Sequence, residues 1–278
     1  GSKNLKALAV SGTEHVDVPD IKRYKAVYNR LYRAAVHTEV MEKYHDIGTS
    51  VNISVLNWLR GLPTKNFLLS SFPEGENIAG EVFAEKHLLR RFSCAGCPIG
   101  CVHIAALKTA FSEHHEFEVR RVSYDYEPIY SLGSNLGVKT AEGILQLIDA
   151  CERLGLDVMS AGVVLSWATE ALEKKLITEK ETTGVPLQWN EVDGYAKALN
   201  LMVRAPNEFY ASLGRGAEYA AAKYGGQEYA MTLGGNEVSG YHTGLASIVG
   251  QLVGSGHSHL DNAGYRIDQR ALKKPMDL

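Results

Sequence analysis

Three of the four cysteines in this sequence fall within eight residues, in the run Cys94-Ala95-Gly96-Cys97-Pro98-Ile99-Gly100-Cys101. A C-x2-C-x3-C spacing lets one loop present several thiolates to a small inorganic core, and Gly96 and Gly100 permit the tight backbone this needs. The chemistry it points to is ligation of an iron–sulfur cluster. Zinc is the alternative, with His103 drafted as a fourth ligand, although structural zinc sites usually pair two knuckles or add histidines. A disulfide framework fits poorly, because bridges in a chain of this length would be spread along it. Cys151, fifty residues further on, stands near the end of a helical pattern and reads as a core residue.

Other residues could move protons or hold a ligand. Glu127 follows Tyr124, Asp125 and Tyr126 and precedes Pro128. A carboxylate in such partly apolar surroundings gains a raised pKa and can exchange protons near neutrality. Asp157 follows the glycine turn Leu154-Gly155-Leu156 and is placed to cap the next helix. His257 and His259 share a glycine-rich turn, Gly254-Ser255-Gly256-His257-Ser258-His259, and His242 lies in Gly240-Tyr241-His242-Thr243-Gly244. His114 and His115 read as a polar hairpin tip.

The elements that must position these groups are mostly helices. Leu5 to Val10 form a short apolar, strand-like run. Val18-Pro19-Asp20 opens a helix whose Tyr24, Val27, Tyr28, Leu31 and Tyr32 share one face, running to near Gly48. Further helices are expected over 52–60, 78–90, 140–154, 157–176, 192–203, 208–224 and 243–253, with Asn190 capping the one that starts at Val192. Alternation in Val102, Ile104 and Ala106, then in Phe117, Val119 and Val122, predicts a β-hairpin with a tip at 112–116. The fold class is therefore mainly α, a multi-helical domain with a small β-hairpin.

The 278 residues, 45% hydrophobic and 22% charged, suit a globular chain with a substantial core. With 29 basic and 32 acidic residues the net charge is -3 and no block of like charge stands out. Nucleic acid and membrane surfaces are accordingly poor partners. With no apolar run of membrane-spanning length and no signal-peptide pattern, a cytoplasmic location is expected.

Several motifs in order resemble the tungsten-containing aldehyde ferredoxin oxidoreductase family. Gly1 to Ala7 is similar to the segment that closes the family's N-terminal domain, although Gly1-Ser2 read alone looks like a cleavage scar. Cys94 to Cys101 resembles its cluster loop, and Tyr126-Glu127 with Leu132-Gly133-Ser134-Asn135-Leu136-Gly137 its active-site stretch. Glu152-Arg153-Leu154-Gly155-Leu156-Asp157 resembles its pterin-binding motif, and Gly254 to His257 a turn near its metal.

The resemblance implies a 4Fe-4S cluster on Cys94, Cys97 and Cys101, with the fourth ligand outside this chain. It implies a tungsten (or molybdenum) bis-pterin centre contacted by Glu152, Gly155, Leu156 and Asp157. Glu127 would act as base or position a substrate water, and His257 would bond a metal-bound or substrate oxygen, with His259 as runner-up. The implied reaction oxidises an aldehyde to a carboxylic acid and sends electrons through the cluster to ferredoxin. By this resemblance residues 1–12 are the tail of an N-terminal β-rich domain, 13–226 a helical domain and 227–278 the opening of a C-terminal helical domain. Without the β-rich base, the chain is expected to hold its cofactors poorly and to show little or no activity alone. Two other readings stand beside this one: an iron–sulfur electron-transfer subunit of a larger reductase, and a cofactor-free helical domain.

Overall fold

The computed structural model describes residues 5, 7–111, 116–261 and 264–273. In chain order the elements are α1 (Ile21–Val36), α2 (Glu39–Asp46), α3 (Asn52–Trp58), α4 (Gly80–Lys86), β1 (Leu88–Phe92), β2 (Val102–Ala110) and β3 (Phe117–Tyr124). Then follow α5 (Tyr126–Leu132), α6 (Ala141–Leu154), α7 (Val158–Glu173), α8 (Val192–Arg204), α9 (Glu208–Leu213) and α10 (Ala217–Tyr224). A two-residue ladder of β4 (Thr232–Leu233) with β5 (Asn236–Glu237) precedes α11 (Leu245–Val253) and α12 (Gly264–Lys273). The fold is mainly α with small antiparallel sheets, as expected.

At the centre lies α7, buried without interruption from Ala161 to Ala171, because its sequence is mostly apolar or small on every side and its one buried charge, Glu170, is paired with Asn66 and Lys174. α5 packs directly on it. Gly162 makes that approach possible, since a Cβ there would lie 2.1 Å from Ser131 Oγ and 2.5 Å from its carbonyl oxygen. α6 covers the flank with Ile144, Leu145, Leu147, Ile148 and Cys151 turned inward. Its ends follow simple rules. Thr140 accepts the Gly143 N–H at the start, and Gly155 ends the helix at φ 72°. The β2–β3 hairpin sets Ala105 opposite Val122, both fully buried.

Some boundaries differ from expectation. The helix read through to Gly48 breaks at His37-Thr38, where the Thr38 hydroxyl accepts the Met41 N–H and starts α2 afresh. The one read over 208–224 breaks at Gly214-Arg215-Gly216, with Gly216 at φ 107°. The helix expected over 78–90 stops at Lys86, and Leu88–Phe92 instead pairs with β2 as a third strand. Asn190 does not cap α8. It sits at φ 73° and its side chain accepts the Lys139 N–H, leaving Glu191 at the cap position. Within the strand-like run at the start, Leu5 and Ala7–Val10 are exposed and form no strand, since no neighbouring strand satisfies their backbone. Gly1–Asn4, Lys6 and the hairpin tip Ser112–His115, with His114 and His115, lie outside the described residues.

Candidate functional site

The cysteine run connects β1 to β2. The Cys97 N–H donates to the Cys94 carbonyl at 3.0 Å, and Gly96 and Gly100 take φ of 75° and 68°. Two histidines brace this loop through its backbone. His45 Nδ1 lies 2.6 Å from the Ile99 oxygen, and Gly100 fits against the same ring. His103 is buried, with Nδ1 3.0 Å from the Cys101 oxygen and Nε2 3.1 Å from the His45 oxygen. Both ring nitrogens face carbonyl groups, so His103 is not the free fourth ligand that zinc would need.

The three thiols are free, Cys94 exposed and its two companions partly buried. Burial first, then Cys97 and Cys94, push the Cys101 thiol above its ordinary pKa. The donor set suits iron–sulfur chemistry in kind: soft sulfur ligands on one short loop, each able to ionise against a metal. Among the described residues, however, no three His, Cys, Asp or Glu side chains converge as a finished metal site. Cys151 cannot join them, being fully enclosed in α6 with its thiol pushed up to about 12 by burial.

The turn from α6 to α7 carries the second motif. Asp157 caps α7 by accepting the Ser160 N–H at 2.7 Å. Its side chain is exposed and, with Leu156, lines a groove of about 240 Å³ that also takes in Ser160, Arg215 and Glu237. The Arg215 guanidinium rests 3.6 Å over the Tyr219 ring. Glu152 lies in the last turn of α6, its pKa raised by burial and then by Asp149. A capping carboxylate with lone pairs to spare at a groove fits the N–H edge of a pterin in chemistry.

The third feature is a cavity of about 390 Å³. Val55 and Leu56 of α3 and the following Leu59, with Leu260 and Leu272, give it apolar walls, while Asp125, Glu127, Tyr241 and His259 also line it. Glu127 stands in the first turn of α5, with Oε1 3.3 Å from His259 Nε2. The Tyr241 ring packs at a tilt between Tyr126, at 4.1 Å, and His259, at 4.6 Å. Asp125 and Tyr241 line the same cavity as Glu127. Burial, then the neighbouring Glu127, push Asp125 up to about 7.

Two buried hydroxyls hold this arrangement to the core. Tyr126 donates to the Gly240 oxygen at 2.7 Å and Tyr130 to that of Val238 at 3.0 Å. The structure therefore brings Glu127 to His259, the runner-up, and not to His257. His257 takes φ 52°, with Nδ1 3.2 Å from the Gln251 oxygen and its ring packed against Gly234. His242 is set edge-on to Phe67, and burial lowers its pKa. Sequence pattern alone assigns no role to Asp125 or Tyr241. The one local signal for Asp125 is its place two residues before Glu127.

The family model for aldehyde ferredoxin oxidoreductase, domains 2 and 3, matches residues 25–276. The chain belongs to the aldehyde ferredoxin oxidoreductase family. A tungsten-containing aldehyde ferredoxin oxidoreductase of Pyrococcus furiosus is 31% identical over 246 residues, which are 87% of this chain and 39% of that protein. Its counterpart in Thermococcus kodakarensis is 30% identical with the same coverage. A more distant relative, the aliphatic sulfonate oxidoreductase, WOR-like subunit, of Pyrococcus furiosus, is 26% identical over 73% of the chain. This aldehyde ferredoxin oxidoreductase-like chain thus spans 39% of the length of the first two relatives. Among solved structures, the active-site complex BamBC of benzoyl coenzyme A reductase shares the fold over 64% of this chain and 26% of its own, with a TM-score of 0.50 and 21% identity. No helix among the described residues is long and apolar enough to cross a membrane.

Proposed function

We propose that this chain supplies the cluster loop, one pterin contact and the proton-handling residues of an enzyme that oxidises aldehydes to carboxylic acids. In this reading residues 13–226 and 227–278 are parts of two helical domains of a longer protein, and ferredoxin is the electron acceptor. When bound, a tungsten–pterin centre supplies the two-electron chemistry and a 4Fe-4S cluster the one-electron path outward.

The chain's own contribution is binding and proton transfer. Cys94, Cys97 and Cys101 hold the cluster, with a fourth ligand from elsewhere. Asp157 accepts N–H groups from the pterin edge, Gly155 and Leu156 shape the approach, and Glu152 adds a second acceptor. The leucine-lined cavity takes the hydrocarbon part of the aldehyde and keeps bulk water from it. Glu127 removes a proton from the attacking water, and the His259 Nε2–H orients the Glu127 carboxylate. His257 serves as a second-tier donor near the same turn. The observation that carries this reading is the Glu127–His259 contact at the wall of a largely apolar cavity.

Anaerobic reconstitution followed by iron, sulfide, tungsten and pterin analysis tests it. Iron with tungsten and pterin supports the enzyme, and iron alone would turn the reading towards an electron carrier. Aldehyde-dependent viologen reduction by the full-length protein is the functional check, and its absence with both cofactors loaded would refute the assignment.

A further inference from the structure

The overall charge balance hides a local imbalance beside the cysteine loop. α1 carries Lys22, Arg23, Lys25, Arg30 and Arg33 and no acidic residue, whereas the whole chain has a net charge of -3. All five are exposed, and none enters an ion pair among the described residues. α1 itself buries no residue. Directly before the loop, β1 adds Arg90 and Arg91, both exposed, with the Arg90 guanidinium 4.3 Å over the exposed Phe92 ring.

The helix is set against the loop. Tyr32 and Val36 of α1 and His45 of α2 border a groove of about 250 Å³ that Pro98 and Ile99, between Cys97 and Cys101, also line. Lys25 precedes Tyr32 by seven residues, and Lys22 and Arg33 precede Val36 by fourteen and three. Those spacings put all five on one side of the helix, the side of the groove. Cys94, at the start of the loop, is exposed. The acids nearby are Glu39, Glu42 and Asp46 of α2, and Asp46 lies 4.0 Å from Arg91. Positive charge therefore prevails around the loop.

A second exposed surface shows by contrast what this one suits. α11 and α12 expose Leu245, Ile248, Val249, Leu252, Val253 and Ile267, an aliphatic face of the kind that permanent contacts bury. α1 instead exposes Tyr24, Tyr28 and Tyr32 among lysines and arginines. Tyrosine and arginine are enriched where separate proteins meet, and exposed cations draw in an acidic partner quickly without holding it long. The two electrons of one aldehyde must leave singly, so a carrier has to visit twice per turnover. Fast arrival and ready release match that task.

We propose that α1, with Arg90 and Arg91, is the docking surface for a small acidic one-electron carrier protein, whose redox group comes to rest over the cysteine loop. This rests on the electron-transfer reading above and names the surface through which the transfer runs. Each visit moves one electron from the cluster site to the carrier, oxidising the one and reducing the other, with no bond made or broken. Nucleic acid would match the charge, but it has no use for an exposed cysteine loop at the end of the basic face.

The full-length protein and an acidic ferredoxin provide the test. In the free protein Lys22 and Lys25 should react with an amine-labelling reagent, and added ferredoxin should protect them. Lysines already unreactive in the free protein would show that the rest of the polypeptide covers α1, and labelling unmoved by ferredoxin would place the carrier elsewhere; either result overturns the proposal. Combined Lys22→Glu, Lys25→Glu and Arg33→Glu should slow ferredoxin association by ~10-fold or more. So should about 1 M salt on the wild type, where charges are screened within about 3 Å. Lys197→Glu with Arg204→Glu, both on α8, should leave association near the wild-type rate; an equal loss there would reduce the effect to net charge and overturn it. Viologen reduction should be unchanged in the α1 variant, and a parallel fall in both assays would make α1 structural and refute docking. A single-stranded oligonucleotide bound as tightly as ferredoxin would likewise refute it. If the α1 variant fails to fold, wild-type labelling and salt dependence decide the matter. Ferredoxin binding without aldehyde oxidation would sink the functional reading alone, and viologen activity without ferredoxin binding would sink the docking surface alone.

Discussion

The cysteine loop and the Glu127 cavity carry two halves of one proposed reaction, yet they are built in opposite ways. The loop is held by imidazole–carbonyl contacts from His45 and His103, and among the described residues its thiols, one exposed and two partly buried, do not gather into a finished metal site. The cavity is fixed by fully buried tyrosines whose hydroxyls reach across more than a hundred residues to Val238 and Gly240. One site is a set of donors awaiting a core that would draw them together. The other is preorganised by the fold and holds its charges in place before any ligand arrives. A cluster brings its own bonding energy and can shape a loop, whereas a base must be aimed in advance.

Substitutions can break or sharpen this contrast. The largest effect should come from Glu127→Gln in the full-length protein, which keeps the side-chain size and removes the base. Viologen reduction should fall by ~10²-fold or more, with iron content unchanged. On stability, Gly162→Ala should be the most damaging, because its Cβ would press on Ser131 and push α5 from α7. Chemical denaturation should register a loss of ~1–3 kcal/mol, the usual range for overpacking. Tyr126→Phe leaves the Gly240 oxygen without its donor. A loss of ~1–2 kcal/mol is expected from an unmet buried acceptor, accompanied by faster hydrogen exchange over 238–241 and none over the cysteine loop. The smallest stability change belongs to Cys94→Ser, Cys97→Ser and Cys101→Ser combined. That variant should melt with the unmodified chain while failing to take up iron on reconstitution. A shared drop in melting temperature would mean the loop is as structural as the cavity, and the contrast would fail.

The pH dependence of stability gives a further handle on the cavity. A carboxyl whose folded pKa is raised favours the folded state most below its unfolded pKa. For Asp125 that contribution is present at acid pH and is lost as pH rises from about 4 towards about 7. Urea midpoints followed over this window should decline more in the wild type than in Asp125→Asn.

Much of the architecture was legible in the chain because local rules govern it. The Pro19-Asp20 start of α1, the Thr140 and Gly155 ends of α6 and the alternation of β2 and β3 are each written within a few residues. What was misread depends on competition between neighbours. Leu88–Phe92 has a helical neighbour on one side and joins the sheet only because β2 offers an open edge. Gly214 and Gly216 outweigh the helical periodicity around them, and α12 was not expected at all. At the candidate site, Glu127 and the cysteines stand out by type and spacing. His259 and His257 are two residues apart in one turn, and only tertiary packing places the former beside Glu127. Tyr241 becomes meaningful through a ring it packs on 115 residues earlier in the chain, a relation that no local pattern encodes.

The tyrosine bonds to Val238 and Gly240 also set an order of events. A ribosome emits α5, α6 and α7 well before it emits Tyr241 and His259, and helices with close neighbours in sequence form early. The central helices can therefore settle while Glu127 still lacks its partners. The Glu127–His259 contact can form only when the later segment docks on the Tyr126 and Tyr130 hydroxyls, so this wall of the cavity is expected to assemble after the central helices.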